Sequence, residues 1–271
     1  MQYLCAILWL LLLPGCRGDD DGDAESGPGG SNPFGEADPD ADGDDGMDID
    51  PETGGRESFG EKHTGQYHLG PVDFAETEWH NACAPGGGYR SALRNATGLG
   101  EELLAGVATQ YAQNGGACDA CILIETGEGF STVARVVTYG KTNEPGDIDV
   151  SPAVYEALDQ GEWPRAMSWG FTECPDTGTL QYEFQTEANP WWTSLWVRNP
   201  KVPIDEVAVR SANHSDFFTL RRAGDGTLND DSGFGEGAFT LRITAMDGQV
   251  IEDTLPGFSA GELIVSSKQF E

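Results

Sequence analysis

Ala188-Asn189-Pro190-Trp191-Trp192-Thr193-Ser194-Leu195-Trp196-Val197-Arg198-Asn199-Pro200-Lys201 is the stretch on which the reading of this chain turns. Three of the seven tryptophans lie within six residues here, inside a run that otherwise reads as a β-strand. Period-two alternation puts Trp192, Ser194 and Trp196 on one face and Leu195 and Val197 on the other. Leu195 and Val197 suit a core. The small polar Ser194 between two indoles predicts a wet face, and a rigid, flat aromatic face in water suits stacking on the apolar faces of sugar rings. The alternative is that all three indoles are core residues.

Outward from this run the same pattern repeats. Short apolar or alternating segments occupy 121–125, 132–139, 166–171, 179–185, 206–210, 217–221, 239–245 and 249–254. Gly and Pro punctuate them, and Asp247-Gly248 is a strong hairpin signal. Helical patterns are few: 151–158, with Ser151 as N-cap and Pro152 at the first helical position, and a short turn at 101–105. Many short strands with few helices predict a mainly all-β protein. Cys174-Pro175-Asp176-Thr177-Gly178 reads as a joint between two units of ordinary domain size.

The N-terminus reads as an export signal. The apolar run from Tyr3 to Leu13 is too short to span a bilayer and ends at Leu13-Pro14-Gly15-Cys16, which resembles a bacterial lipoprotein signal over 1–16 with Cys16 as lipid anchor. An ordinary cleaved secretion signal is the alternative, and both readings export the protein to the cell surface or beyond. Residues 17–60 are mostly Asp, Gly, Pro and Glu, with almost no large apolar residues. They bury too little to offset ordering entropy, so they read as a disordered acidic linker. Asp38-Pro39-Asp40-Ala41-Asp42-Gly43 begins like a calcium loop but has Ile49 where the bidentate Glu belongs. The formal net charge of −31 argues against nucleic acid as a partner, since that binding relies on Lys and Arg at phosphates. It likewise predicts a preference for neutral over acidic polysaccharide.

Cys83, Cys118, Cys121 and Cys174 lie beyond the signal. An even count in an exported protein predicts two disulfides, with three connectivities open. Cys118-Asp119-Ala120-Cys121 has the spacing of half a zinc site, but no second pair follows. No metal and no cofactor is expected.

The order of these segments resembles the expansins, specifically the bacterial and myxobacterial kind, over about residues 62–271. Pro145-Gly146-Asp147-Ile148-Asp149-Val150-Ser151-Pro152 is similar to the family's "G-x-x-D-L-S" segment, with Asp149 on its acid. Val136-Val137-Thr138-Tyr139 is similar to its "T-D-x-Y/C-P" strand end, with Tyr139 on the aromatic and Val137 in place of the acid. Gly65-Gln66-Tyr67-His68-Leu69-Gly70 falls on "G-x-A-T-Y-Y", with His68 in place of Thr. Trp191-Trp192, Val197-Arg198-Asn199 and Lys201-Val202-Pro203 follow the family's cellulose-binding strand. The place of that strand's third aromatic falls in the loop Ala223-Gly224-Asp225-Gly226, and Trp196 is the candidate to replace it.

The resemblance implies a six-stranded double-psi β-barrel over 61–176, related to that of family-45 endoglucanases, and an immunoglobulin-like β-sandwich over 177–271. It implies the pairs Cys83–Cys118 and Cys121–Cys174. It also implies a polar groove lined by Asp149, Tyr139 and His68, and a cellulose platform of Trp191, Trp192 and Trp196. The expected function is binding of cellulose or related β-glucan, with loosening of the wall and no bond broken, by a monomer that meets a membrane only through lipid at Cys16. Inverting hydrolysis needs two carboxylates, and only Asp149 is placed; Asp147, Asp119 and Glu125 are the remaining candidates. Two alternatives stay open: a glycan-cleaving enzyme on the same barrel, either an endoglucanase or a lytic transglycosylase, and a purely carbohydrate-binding surface protein.

Overall fold

The computed structural model describes residues 59–70, 82–83, 103–112, 115–142, 144–159, 164–175 and 178–271. All belong to the unit Gly55–Glu271. The export signal, Cys16, the calcium-like loop and nearly all of the acidic linker lie outside the described residues.

Six strands close into a barrel: β1 (His63–Leu69), β2 (Leu104–Ala108), β3 (Cys121–Thr126), β4 (Ser131–Gly140), β5 (Ile148–Val150) and β6 (Ala166–Thr172). Their order around the barrel is β1-β5-β2-β4-β3-β6. The β1–β5 and β2–β4 pairs are parallel, and the others antiparallel. Alternation along each strand turns Ile122 and Ile124, Ala134 and Val136, and Met167, Trp169 and Phe171 into the core. The helical turn expected at 101–105 is corrected. Leu104 and Ala105 open β2, all of whose residues are buried. Leu and Ala favour helix locally, but a strand flanked by β4 and β5 and covered by a helix reads as an unbroken apolar run. That helix, α1 (Pro152–Ala157), begins as the sequence indicates, with Ser151 Oγ accepting from Val154 N.

The barrel requires two backbones to cross in contact before β5. A side chain at Gly146 would stand 1.9 Å from Thr64 O, and one at Gly65 2.3 Å from Gly146 C. Only glycine fits on both sides. Trp169 Nε1 donates to Gly146 O at 2.9 Å and holds the crossing from within.

Two sheets form the sandwich. One is β7 (Gln181–Phe184), β8 (Thr193–Arg198), β11 (Arg221–Arg222), β12 (Leu228–Asp230) and β15 (Leu263–Val265), in the order β11-β12-β8-β7-β15. The other is β9 (Ile204–Arg210), β10 (Phe218–Thr219), β13 (Phe239–Ala245) and β14 (Val250–Leu255), in the order β10-β9-β13-β14. Leu195 and Val197 enter the core between them with Phe184, Leu241 and Ile243, as alternation requires. Asp247-Gly248 turns β13 into β14, with Gly248 at φ +90°.

Barrel and sandwich meet across a buried polar cluster. Arg198 of β8 donates to Asp119 Oδ2 at 2.7 Å, to Glu183 Oε2 at 2.9 Å and to Cys83 O at 3.0 Å. Arg135 of β4 donates to Asp119 O at 2.9 Å and to Asn199 Oδ1 at 3.3 Å. The disulfides are Cys83–Cys118 and Cys121–Cys174, and their inner members bracket Asp119 at φ +65°. Both cysteines of the CxxC spacing are therefore spent on structure.

Candidate functional site

Trp191 owes its position to a turn that the Asn189-Pro190 pair dictates. Asn189 Oδ1 accepts from Trp191 N at 2.9 Å and Trp192 N at 3.1 Å. The Asn189 and Trp192 backbones exchange hydrogen bonds. Gly235 N donates to Pro190 O at 2.8 Å and ties the turn to the loop after β12. Trp191, at the turn, is 67% exposed. Five hydrogen bonds of the backbone and the Asn189 side chain fix the turn that leaves this large indole in water.

Trp192 is half-buried and leads into β8. Trp196, four residues further and about 13 Å along, is also half-buried. Its Nε1 donates to Asp225 O at 2.9 Å, and the Arg198 guanidinium lies 4.7 Å from its ring centroid. The wet face expected around Ser194 is corrected: Ser194 is fully buried. β8 is an interior strand between β7 and β12, and indoles at i−2 and i+2 leave a small side chain no route to solvent. The exposed aromatic area is at the Trp191 end.

In the barrel, strand register brings His68, Asp149, Gly106 and Thr138 into one row across β1, β5, β2 and β4. Gly70 keeps the row open beside Asp149, because a side chain there would come within 2.7 Å of Asp149 Cβ. Burial pushes the Asp149 carboxyl above its ordinary range, His68 partly counters this, and Asp147 adds to it. Asp147 serves another purpose. It is 2% exposed and accepts from Gln66 N at 2.8 Å and Glu144 N at 3.2 Å, with His68 Nε2 at 3.1 Å. It therefore braces the loop before β5 and orients His68.

The other candidate carboxylates are also engaged: Asp119 by Arg198, and Glu125 by Lys62. Val137, where the resemblance has an acid, is fully buried. Thr138 joins the row without having been singled out; only β2–β4 register reveals it.

Tyr139 stands with the sandwich. Its hydroxyl donates to Gly224 O, and burial followed by the charge of Asp225 raises its phenol above the ordinary value. Gly224 and Asp225 belong to the short loop 223–226 between β11 and β12, closed by Gly226 N donating to Ala223 O at 2.9 Å. The loop in which the third platform aromatic was sought is thus a clasp between Tyr139 and Trp196. Among the described residues no group of three or more His, Cys, Asp or Glu is placed to hold a metal.

No family model matches the chain. It is 25% identical to expansin-like protein 3 of Dictyostelium discoideum over 73% of its own length and 61% of that protein. It is 24% identical to expansin-like protein 5 of the same organism, over 76% of its own length and 89% of that protein. The expansin YoaJ of Bacillus subtilis is 23% identical over 41% of this chain and 47% of that one. Among solved structures, the apo expansin of Clavibacter michiganensis covers 78% of this chain with 98% of its own, at TM-score 0.60 and 18% identity. A mutant of the same protein in complex with cellohexaose matches at TM-score 0.59 and 17% identity.

Proposed function

We propose that this chain, a bacterial-type expansin by its relatives and its barrel-plus-sandwich fold, adsorbs to cellulose or a related β-glucan and loosens it without breaking bonds. The observation that carries this reading is the clasp. Tyr139 of the barrel and Trp196 of the tryptophan strand are fixed to adjacent carbonyls of loop 223–226. A polysaccharide stacked on Trp191 and Trp192 and passing Trp196 would therefore be presented to the barrel at a fixed distance. There, His68 and Asp149 would compete for the hydroxyls that bind a chain to its neighbours. Binding energy at the indoles offsets the cost of lifting the chain. Two disulfides accord with action outside the cell. Cys16 is proposed as a lipid anchor with residues 17–60 as spacer, and the working form as a monomer.

The test is mechanical weakening of cellulose paper by the full chain, assayed for reducing ends in parallel. Weakening without new reducing ends is expected. Reducing ends released in proportion to weakening would overturn the non-hydrolytic reading.

A second reading, glycan cleavage, draws on one observation. The raised Asp149 carboxyl shifts in the direction a general acid needs. Against it, two of the carboxylates weighed as partners, Asp147 and Asp119, are buried in structural contacts, and Glu125 lies at the surface paired with Lys62.

A further inference from the structure

Arg221 and Asp231 flank the tryptophan strand on its own face. Arg221 of β11 stands opposite Asn229 of β12, and Asn229 stands opposite Ser194 of β8. Side chains in such a row point the same way, and Ser194 shares its face with Trp192 and Trp196. Arg221 therefore rises beside the indoles, two strands and about 10 Å away. Its neighbour Arg222 turns to the other side and donates to Ile204 O at 3.1 Å. Asp231 follows Asp230, the partner of Thr193, and so lies level with Trp192.

Three features of the pair point to a ligand. First, its position is built into the platform. The turn that carries Asp231 is closed by Gly233 N donating to Asp230 O at 3.1 Å and by Ser232 N donating to Asp230 Oδ1 at 2.9 Å. That turn is pressed onto the indole turn. A side chain at Gly233, φ +68°, would stand 2.2 Å from Pro190 O and 2.5 Å from Trp191 C. Second, the pair keeps its hydrogen-bonding capacity. Arg221 Nη2 and Asp231 Oδ1 are 3.6 Å apart, an attraction without a hydrogen bond. Among the described residues neither side chain donates to or accepts from another group of the protein. Arg242 and Glu252, by contrast, are closed on each other at 2.8 and 2.6 Å. Third, the two side chains are 65% and 74% exposed, so their attraction adds little to stability.

We infer that Arg221 and Asp231 are the polar rim of the tryptophan platform and select β-linked glycans whose hydroxyls at C2 and C3 are both equatorial. The inference rests on the reading of the indoles as a polysaccharide platform. An indole stacks on the apolar face of a sugar ring and reads little of its hydroxyl configuration. A carboxylate beside it accepts from two neighbouring hydroxyls, and a guanidinium donates to their oxygens. Equatorial hydroxyls on adjacent carbons lie near the plane of the ring, at its edge. A glucan stacked on Trp191 and Trp192 presents them to Asp231 and Arg221. An axial C2 hydroxyl, as in a mannan, leaves that plane and leaves Asp231 one donor short. The indoles supply adhesion and the pair supplies choice.

The experiment is calorimetric titration of the full chain with cellohexaose, alone and in competition with mannohexaose. The variants are Arg221→Ala, Asp231→Ala and Trp191→Ala, each checked to be folded by circular dichroism. The wild type is expected to bind cellohexaose at least tenfold more tightly than mannohexaose. Arg221→Ala and Asp231→Ala are each expected to lose at least fivefold for cellohexaose, with mannohexaose changed less than twofold, and Trp191→Ala to weaken both sugars. Cellohexaose binding that falls in Trp191→Ala but is indifferent to Arg221→Ala and Asp231→Ala would overturn the rim and leave the platform standing. So would equal losses of both sugars in the rim variants. Absence of cellohexaose binding, or binding indifferent to Trp191→Ala, would overturn the platform and the rim with it.

Discussion

Tyr139 and Trp196, from different halves of the protein, are fastened to neighbouring carbonyls: the Tyr139 hydroxyl donates to Gly224 O and the Trp196 indole N–H to Asp225 O. Each bond is modest alone, about 0.5–1.5 kcal/mol net. Together they fix where the barrel row begins relative to the tryptophan strand. Tyr139→Phe removes one of them without changing ring volume. The expected result is a stability loss of about 1 kcal/mol with a larger fractional loss of paper-weakening than of cellulose adsorption. Equal losses of both would mean that the clasp only stabilises the fold.

Asp149 gives a pH signature with a definite sign. Its carboxyl titrates at the ordinary 3.8 in the unfolded chain and higher in the folded one, chiefly because burial disfavours the charged form. The folded state thus holds the proton more tightly, and stability falls as pH rises through the window between the two values. Asp149→Asn carries no such cost. Its melting temperature is predicted to exceed the wild type's at neutral pH, with the advantage vanishing below the ordinary carboxyl value. The same variant is predicted to adsorb to cellulose normally and to lose weakening activity. Unchanged weakening would favour a plain carbohydrate-binding protein.

Arg198 anchors the joint. Its guanidinium answers Asp119 and Glu183 in a site where all three side chains are nearly or wholly buried. Removing one partner of such a cluster leaves uncompensated buried charge and costs about 3–5 kcal/mol. Arg198→Ala is predicted to lower the urea midpoint accordingly, and to loosen Trp196, over whose ring the guanidinium lies.

Much of this was legible in the sequence, and the limits were physical. Alternation placed Leu195 and Val197 in the core, and Ser151-Pro152 marked the start of α1, because both signals are local. Cysteine count allowed three pairings; resemblance to a family selected the two that form. The same alternation misjudged Ser194, since burial depends on which strands flank β8. β2 read as helix because Leu and Ala say nothing of being covered on both faces. The cluster joining Asp119, Arg135, Glu183 and Arg198 left no trace, because its members are brought together only by the joint between barrel and sandwich. Thr138 was invisible until strand register aligned it with Asp149.

The disulfides hold the segment that carries Asp119. Cys121→Ser with Cys174→Ser is expected to cost about 2–4 kcal/mol, read as a lowered denaturant midpoint. Reductant should produce a loss in the wild type and a smaller further loss in the double variant, which retains Cys83–Cys118.

A polysaccharide platform at Trp191 and Trp192 should hold the protein on cellulose. The most direct measurement is sedimentation of the full chain with microcrystalline cellulose at moderate salt, beside Trp191→Ala/Trp192→Ala. The wild type is expected to pellet with the cellulose while the double variant, checked to be folded by circular dichroism, stays in solution. A wild type that stays in solution, or a double variant that pellets equally, would contradict it.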